Sequence, residues 1–553
     1  MEQIPSFNQY IEDSVIKFWD KDAFTDYKGA TLQFHDVARK IEKLHIMFEN
    51  SGVKRGDKIA LCGRNSSHWA VAFLATLTYG AIAVPVQNEF TPEQIHNIVN
   101  HSESKLLFVG DVVCTQVNPD MMPALEGIVY LPDFSIVISR SEQLTFAREH
   151  LNEIFGKRYP KYFRKEHIHY YKEQSPEELA MINYTSGTTG FSKGVMLPYR
   201  ALWGNIDYVL KCLAPNVKPG SNLVSILPMA HMYGLAVEFL FGFINGCHLY
   251  FLNRMPSPSL IAEAFAEVKP RLIVAVPLVI EKIIRRKVLA EVQTNRMKLL
   301  LNMPVINKKI KQHIRDRIME AFGGNAFEII VGGAPLNQGI EEFLNSVGVP
   351  VTIGYGTTET APLITFANYD KYKIASCGPV VDHMEAKVVS PDPANVPGEL
   401  IARGMNVMLG YYKNEDATNA VLDKDGWFHT GDLATMAPSG HIYIKGRIKN
   451  MLLGANGQNV YPEEIEDKLN NMPLVGESII IQRDTKLVAL VHPEIEDKEA
   501  MDFDDDDVKG IMDENLKTLN NQLPPFCKIA AIEIQKEEFQ KTAKKSIKRY
   551  LYK

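Results

Sequence analysis

The chain has 553 residues and a formal charge of −6, with 46% hydrophobic, 9% aromatic and 23% charged residues; this is an ordinary globular composition that excludes a collagenous or wholly disordered chain. At roughly 100–200 residues per domain the length predicts three or four domain-sized units unless one is large, and the acidic balance argues against nucleic acid as main partner, since such binders carry a basic footprint. Six cysteines (Cys62, Cys114, Cys212, Cys247, Cys377 and Cys527) contain no CxxC pair, which points to reduced thiols in a cytoplasm rather than a disulfide framework or a zinc site.

From the N-terminus, Met1 to Tyr10 lacks the basic region and apolar core of a secretory signal. Short apolar runs then alternate with helix-like segments. Strands are predicted at Lys58–Cys62, Ala81–Pro85 and Leu106–Val109, with helices at His68–Thr78 and Pro92–Ser102 between them. Such a repeat predicts mostly parallel sheets covered by helices. Further strands are expected at Ala180–Asn183, Leu223–Leu227, Leu249–Leu252, Leu272–Val276, Glu328–Val331 and Val351–Ile353. Leu223–Leu252 is apolar enough to suggest a membrane span, but Pro228, His231, Glu238, Asn245 and His248 interrupt it. A buried strand and helix is the preferred reading, with peripheral membrane contact left open. After about Ala375 the segments shorten and turns multiply, as in a β-rich subdomain. From Gly446 a further unit begins, with a helix at Pro462–Asn470 and strands near Ser478–Gln482 and Leu487–His492. The aspartates within Asp502–Asp507 read as a solvated loop or helix start, and the tail Lys541–Lys553 is basic.

The most informative segment is Tyr184–Val195 (YTSGTTGFSKGV), which follows a predicted strand. Glycines let backbone N–H groups converge on an anion, hydroxyls add donors, and Lys193 supplies charge. It is not the common nucleotide loop, because Lys193 is followed by Gly194 rather than Ser or Thr.

This string resembles the signature of the adenylate-forming superfamily, which includes acyl-CoA synthetases, adenylation domains of peptide synthetases, and luciferases. Other segments resemble family motifs in the expected order: Leu227–Gly234 (LPMAHMYG), Val331–Leu336 (VGGAPL), Gly354–Thr360 (GYGTTET), Gly398–Gly404 with Gly410–Tyr412, Trp427–Asp432 (WFHTGD), Gly446–Asn450 (GRIKN) and Gly457–Glu466 (GQNVYPEEIE). The resemblance spans nearly the whole chain. It implies an α/β fold: a large N-terminal domain over residues 1–445, with a core to 375 and a β-rich subdomain over 376–445, then a hinge at 446–450 and a small mobile α+β domain over 451–553.

The resemblance also implies a reaction. A carboxylate attacks the α-phosphate of ATP to give acyl-AMP and pyrophosphate, and a thiol then displaces AMP. Such a site must align two anions and neutralise charge. Thr185, Ser186, Gly187, Thr188, Thr189 and Lys193 would hold the β- and γ-phosphates. Glu359, with Thr185, would hold Mg²⁺, a hard cation that prefers oxygen ligands. Thr358 would contact the α-phosphate, and Tyr355, Gly356 and Thr357 the adenine side. Gly333 and Ala334 would lie on the loop passing acid and adenine. Asp432 can accept from both ribose hydroxyls, and Arg447 offers a fixed fork of donors. His231 would sit near the acyl carboxylate, although periodicity alone favours a buried structural histidine. Lys449 falls at the family's hinge position.

One motif departs from the pattern. The family's C-terminal Gly-Lys appears here within Lys541–Arg549 (KTAKKSIKR), which puts Lys545 at the glycine and Ser546 at the lysine. Serine cannot supply that charge, so Lys545 is the preferred replacement, with Lys544 as the alternative and slow or absent adenylation as the rival outcomes. The whole motif set resembles bacterial long-chain fatty acyl-CoA synthetases, implying fatty acid, ATP and coenzyme A as substrates. An acyl carrier protein as acceptor, or a catalytically degenerate binder of ATP, stays open. Phe239, Phe241, Phe243 and Ile244 could line an alkyl tunnel, but each reads more readily as core.

Overall fold

The computed structural model describes residues 4–185, 193–284, 304–453, 458–483, 486–494, 505–541 and 547–552. Two large sheets form the body. The first has eight strands in the order Gly410–Tyr411, Lys193–Pro198, Leu179–Thr185, Ile82–Val86, Lys58–Cys62, Ser104–Val109, Gly127–Tyr130 and Ile136–Ser139. Its centre is parallel, and its ends, including the Leu179–Thr185/Lys193–Pro198 hairpin, are antiparallel. The second has seven strands in the order Val351–Ile353, Glu328–Val331, Leu272–Ala275, Asn222–Ser225, His248–Phe251, Asp22–Asp26 and Thr31–Gln33, parallel except at the last pair.

Local chemistry explains the helix ends. Helix Ser67–Tyr79 starts where Ser66 Oγ accepts from Trp69 N at 3.2 Å, and it stops at Gly80, whose φ of +86° suits glycine. Helix Pro92–Ser102 opens on a reciprocal capping box between Thr91 and Gln94. The first helix is apolar nearly all round and is buried: Trp69 and Phe73 stack at 5.4 Å and both meet Phe239.

The apolar stretch 223–252 forms a strand, a π-helix at Gly234–Leu240 running into Phe241–Ile244, and a second strand. Among the described residues no helix is long and apolar enough to cross a membrane. The first strand ends at Ser225 rather than at Leu227, because the buried Glu238 carboxylate takes the N–H groups of Ile226 and Leu227 at 3.0 and 3.3 Å. Those amides are thereby removed from the sheet ladder.

A four-stranded antiparallel sheet follows, in the order Met384–Val389, Gly398–Gly404, Phe428–Met436 and Ile442–Arg447. Its last strand runs through Gly446 and Arg447, and a 3₁₀ turn at Ile448–Asn450 leads onward. Beyond it, Val475–Arg483, Lys486–Pro493 and Ile529–Ile534 form a separate three-stranded sheet. Alternation along its first strand faces Ile480 to helices Pro462–Leu469 and Asp505–Gln522. Ile479 and Ile481 face the other way, to Phe539, Ile547 and Tyr552 of the tail.

Candidate active site

A cleft of about 2560 Å³ opens between the large sheets, the antiparallel sheet and the C-terminal unit. Thr185, Lys193, His231, Gly333, Ala334, Tyr355, Gly356, Thr357, Thr358, Glu359, Asp432, Arg447 and Lys449 all line it. The structure thus brings together every sequence-predicted site residue that it describes. Ser186, Gly187, Thr188, Thr189 and Lys545 lie outside the described residues.

At one end, Asp432 and Arg447 are partners across two antiparallel strands. Asp432 Oδ1 accepts from Arg447 Nε at 2.9 Å, and Oδ2 accepts from the Tyr355 hydroxyl at 2.6 Å. Burial pushes the Asp432 carboxyl above its ordinary range, while Arg447 and then Tyr355 pull it back. Burial and the adjacent carboxylate push the Tyr355 phenol well up, so it stays a donor. Each Asp432 oxygen retains a further lone pair for a ligand hydroxyl. Lys449, half-buried next to this pair, has its pKa lowered by burial and by Arg447.

At the second corner the glycine-rich loop springs from one rung of a hairpin, with Thr185 paired to Lys193. Lys193 Nζ lies 4.7 Å from the ring centroid of Tyr411. The Tyr411 hydroxyl donates to Glu359 Oε1 at 2.9 Å. One tyrosine therefore touches both the lysine and the carboxylate of this corner. Its own backbone is fixed by pairing with Val195. Glu359 sits in the 3₁₀ turn Thr358–Thr360, which is closed by Thr360 Oγ1 accepting from Thr357 N at 3.1 Å and donating to Pro362 O at 2.6 Å. A side chain at Gly356 would meet Pro362 O at 1.7 Å, so this approach admits only glycine. In the sequence Tyr411 carries only the local signal of an aromatic after a glycine, and the fold alone reveals its two contacts.

The third corner carries His231. The loop before it is held by three polar side chains, Asn65 half-buried and Asn183 and Glu238 buried. Asn65 donates to Leu227 O at 2.6 Å and accepts from Met229 N at 2.9 Å, and Asn183 donates to Ala230 O at 3.0 Å. Glu238 completes the clamp with Ser225 Oγ at 2.8 Å. Burial pushes the Glu238 carboxyl up to about 8 despite those three donors. His231 Nδ1 accepts from Tyr233 N at 3.3 Å, so the neutral ring carries its proton on Nε2. Val209, Leu213, Val237, Val276, Ile330 and Phe366 supply apolar wall to the cleft. The tunnel candidates do not line it: Phe239, Phe241 and Phe243 are fully buried in a cluster with Phe24 and Phe34, and Ile244 is buried in the same core.

The C-terminal unit closes the remaining side. Gln338 N donates to Asp467 Oδ1 at 3.2 Å across the cleft, and Lys445 pairs with Glu464 at 3.2 Å. Arg549 is paired with Glu466, which is itself buried and accepts from Ile480 N at 2.6 Å. Lys541 pairs with Glu477 at 2.7 Å and forms an antiparallel bridge with Ile547. Lys541, Ile547 and Lys548, which flank Thr542–Ser546, all line the cleft.

Comparison with known proteins places this geometry. The profile of the AMP-binding enzyme family matches residues 11–412, and that of the AMP-binding enzyme C-terminal domain matches residues 449–552. The Long-chain-fatty-acid--CoA ligase of Escherichia coli O157:H7 is 31% identical over 507 residues, covering 86% of this chain and 82% of the relative. The Long-chain-fatty-acid--CoA ligase ACSBG2 of Rattus norvegicus is 26% identical, with 93% and 77% covered. Among solved structures, ATP-bound MatB from Rhodopseudomonas palustris superposes with a TM-score of 0.76 at 23% identity, covering 99% and 98% of the two chains. The anthranilate CoA ligase AuaEII with anthranoyl-AMP reaches 0.78 at 18% identity, covering 99% and 97%. These structures share the fold.

Proposed function

The chain belongs to the AMP-binding enzyme family, and from that premise we propose that its cleft joins a fatty acid to coenzyme A with cleavage of ATP to AMP and pyrophosphate. The observation that carries this reading is the convergence of three chemically distinct corners on one cleft: the Asp432–Arg447–Tyr355 cradle, the Glu359–Tyr411–Lys193 corner and the clamped His231. The E. coli relative, named a long-chain fatty acid–CoA ligase and aligned over most of both chains, supports the acid class.

In the first step a carboxylate oxygen bonds to the α-phosphorus, and the bond to the pyrophosphate oxygen breaks. Asp432 takes the ribose hydroxyls, held in place by Arg447 and Tyr355. Lys193 and the hydroxyls of Thr185, Ser186, Thr188 and Thr189 meet the β- and γ-phosphates, with the backbone of Gly187 allowing close approach. Thr358 meets the α-phosphate, and Gly333, Ala334, Gly356 and Thr357 form the adenine-side wall. His231 donates from Nε2 to the acyl carboxylate and holds it for in-line attack. Glu359 and Thr185 present oxygen donors on the same cleft, the ligand chemistry that Mg²⁺ prefers. A Mg²⁺ held there supplies charge neutralisation on the phosphates. Lys545 brings a further positive charge to the developing transition state.

In the second step the thiol sulfur bonds to the acyl carbon and AMP leaves. Residues 1–445 act as the fixed body, 446–450 as the hinge around Lys449, and 451–553 as the unit that rotates between the two steps. The setting is a reducing cytoplasm, where the six free cysteines persist as thiols.

AMP formation from ATP by the purified protein, with acids from acetate to palmitate and with or without coenzyme A, tests the reading. CoA-dependent AMP with a long-chain optimum is expected. Acyl-AMP accumulation indifferent to CoA would transfer the activity to an acyl carrier protein acceptor. ATP binding without AMP from any acid would leave a binding protein in which Ser546 is decisive.

A further inference from the structure

Lys157 to Lys165 (KRYPKYFRK) holds five cations, three aromatics and no acidic residue, in a protein whose net charge is −6. The fold sorts these side chains by direction. Phe163 is pinned inward against Phe155 at 5.7 Å and Trp19 at 6.2 Å, and the Tyr159 hydroxyl donates to Glu42 at 2.7 Å. Lys157 and Arg158 are tied to Glu153 and Glu49, each at 2.6 Å. Lys161, Arg164 and Lys165 are exposed and form no ion pair among the described residues, and one exposed carboxylate, Glu166, follows Lys165 in the chain. Tyr162 stands between them at 72% exposure, with the Arg164 guanidinium 5.9 Å from its ring centroid. The neighbouring face of helix Phe34–Asn50 carries both signs, with Glu42 and Glu49 engaged by Tyr159 and Arg158 and Lys43 without an ion pair among the described residues. Lys43 lies 5.3 Å over the Phe155 ring, and after burial its own charge is opposed by Arg39, Lys40 and Arg148.

A surface that sets three cations without ion pairs, against one adjacent carboxylate, around a protruding aromatic offers two complementary contacts. The cations suit a sheet of negative charge, and an amphipathic ring suits the boundary between headgroups and acyl chains. We propose that this face, centred on Lys161, Tyr162, Arg164 and Lys165, docks the protein on an anionic lipid bilayer. The choice of a membrane over an acidic protein rests on the fatty-acid reading above, because a fatty acid is an amphiphile that collects in bilayers and would be taken up from there. The inward anchors, Tyr159 and Phe163, hold the segment so that little ordering remains to be done on docking.

Co-sedimentation of the full chain with phosphatidylcholine vesicles, with and without 30% phosphatidylglycerol, tests this. Binding to the anionic vesicles alone is expected, weakening as salt rises. The Lys161→Gln/Arg164→Gln/Lys165→Gln variant should lose roughly 100-fold in partitioning, at about fivefold per basic residue. Tyr162→Ala, which keeps every charge, should lose less. Equal binding by wild type and the triple variant, or no binding by wild type, would overturn the proposal. So would charge-dependent capture of an acidic carrier protein or of RNA without vesicle binding, which would reassign the face. AMP formation with detergent-dispersed acid and no vesicles, measured in parallel, separates the two readings. Activity without docking sinks only this inference, and docking without activity sinks only the ligase.

Discussion

The two sides of the cleft are built by different physics. On the large body the candidate site side chains sit on strands and tight turns and are held by hydrogen bonds of 2.6–3.0 Å that are wholly or partly buried: Asp432 by Arg447 and Tyr355, Glu359 by Tyr411, and the His231 loop by Asn65, Asn183 and Glu238. Among the described residues the C-terminal side meets the body in polar contacts, such as Gln338 N to Asp467, Lys445 to Glu464 and Asn450 to Glu463. Polar contacts at a cleft rim are readily exchanged for others, whereas a buried hydrogen-bonded carboxylate is costly to disturb. A cleft with one fixed wall and one lightly attached wall suits a reaction in which the nucleotide must stay and the reagent beside it must change.

Four substitutions and one control break or sharpen that contrast. The largest effect is expected on the lightly attached side. Lys545→Ala should slow pyrophosphate release by about 10²–10³, the loss seen when a group stabilising a developing charge is removed. Thioester formation from supplied acyl-AMP should persist, and Lys544→Ala should change neither step. Losses from Lys544→Ala instead would move the role by one residue. On the fixed side, Asp432→Asn weakens a charge-assisted contact worth about 1.5–3 kcal/mol, so the KM for ATP should rise roughly tenfold to a hundredfold. An unchanged KM would remove Asp432 from the nucleotide.

Smaller again is Tyr411→Phe, which keeps the ring under Lys193 and deletes only the hydroxyl on Glu359. A loss of about 3–10-fold in AMP formation is expected, because Glu359 is only half-buried and water takes over part of this charge-assisted bond. The requirement for Mg²⁺ should rise with it, as a titration of activity against Mg²⁺ would reveal. The mildest is Glu238→Gln. The folded carboxyl titrates near 8 and the free one near 4.5. Between those values the folded chain keeps a proton that the unfolded chain has lost, so stability falls as pH rises through this window. The amide has no proton to lose, and the melting temperature of the variant should vary less between pH 5 and 8 than that of the wild type. An identical slope would place the buried charge elsewhere.

Much of the architecture was legible in the chain, because its signals are local. Helix Pro92–Ser102 is announced by Thr91, Pro92 and Gln94, and strands Lys58–Cys62 and Glu328–Val331 by the apolar runs Ile59–Cys62 and Ile329–Val331. The glycine and hydroxyl content of Thr185–Lys193, and the order of motifs around it, named the family before any coordinate did. What the sequence could not carry was contact between residues far apart in it. Tyr411 reaches Glu359 and Lys193 across 52 and 218 positions, a relation no spacing rule encodes. The early end of strand Asn222–Ser225 needed Glu238, thirteen residues beyond Ser225, to be folded back onto the ladder. Phe239 and Phe243 look alike as tunnel or core until the packing of Phe24 and Phe34 against them decides. The chain by itself determined its elements and its chemistry, since both are written in residue type and short-range order. Which groups meet, and which of them are fixed, was decided only when the sheets closed around one cleft and took their polar side chains out of water.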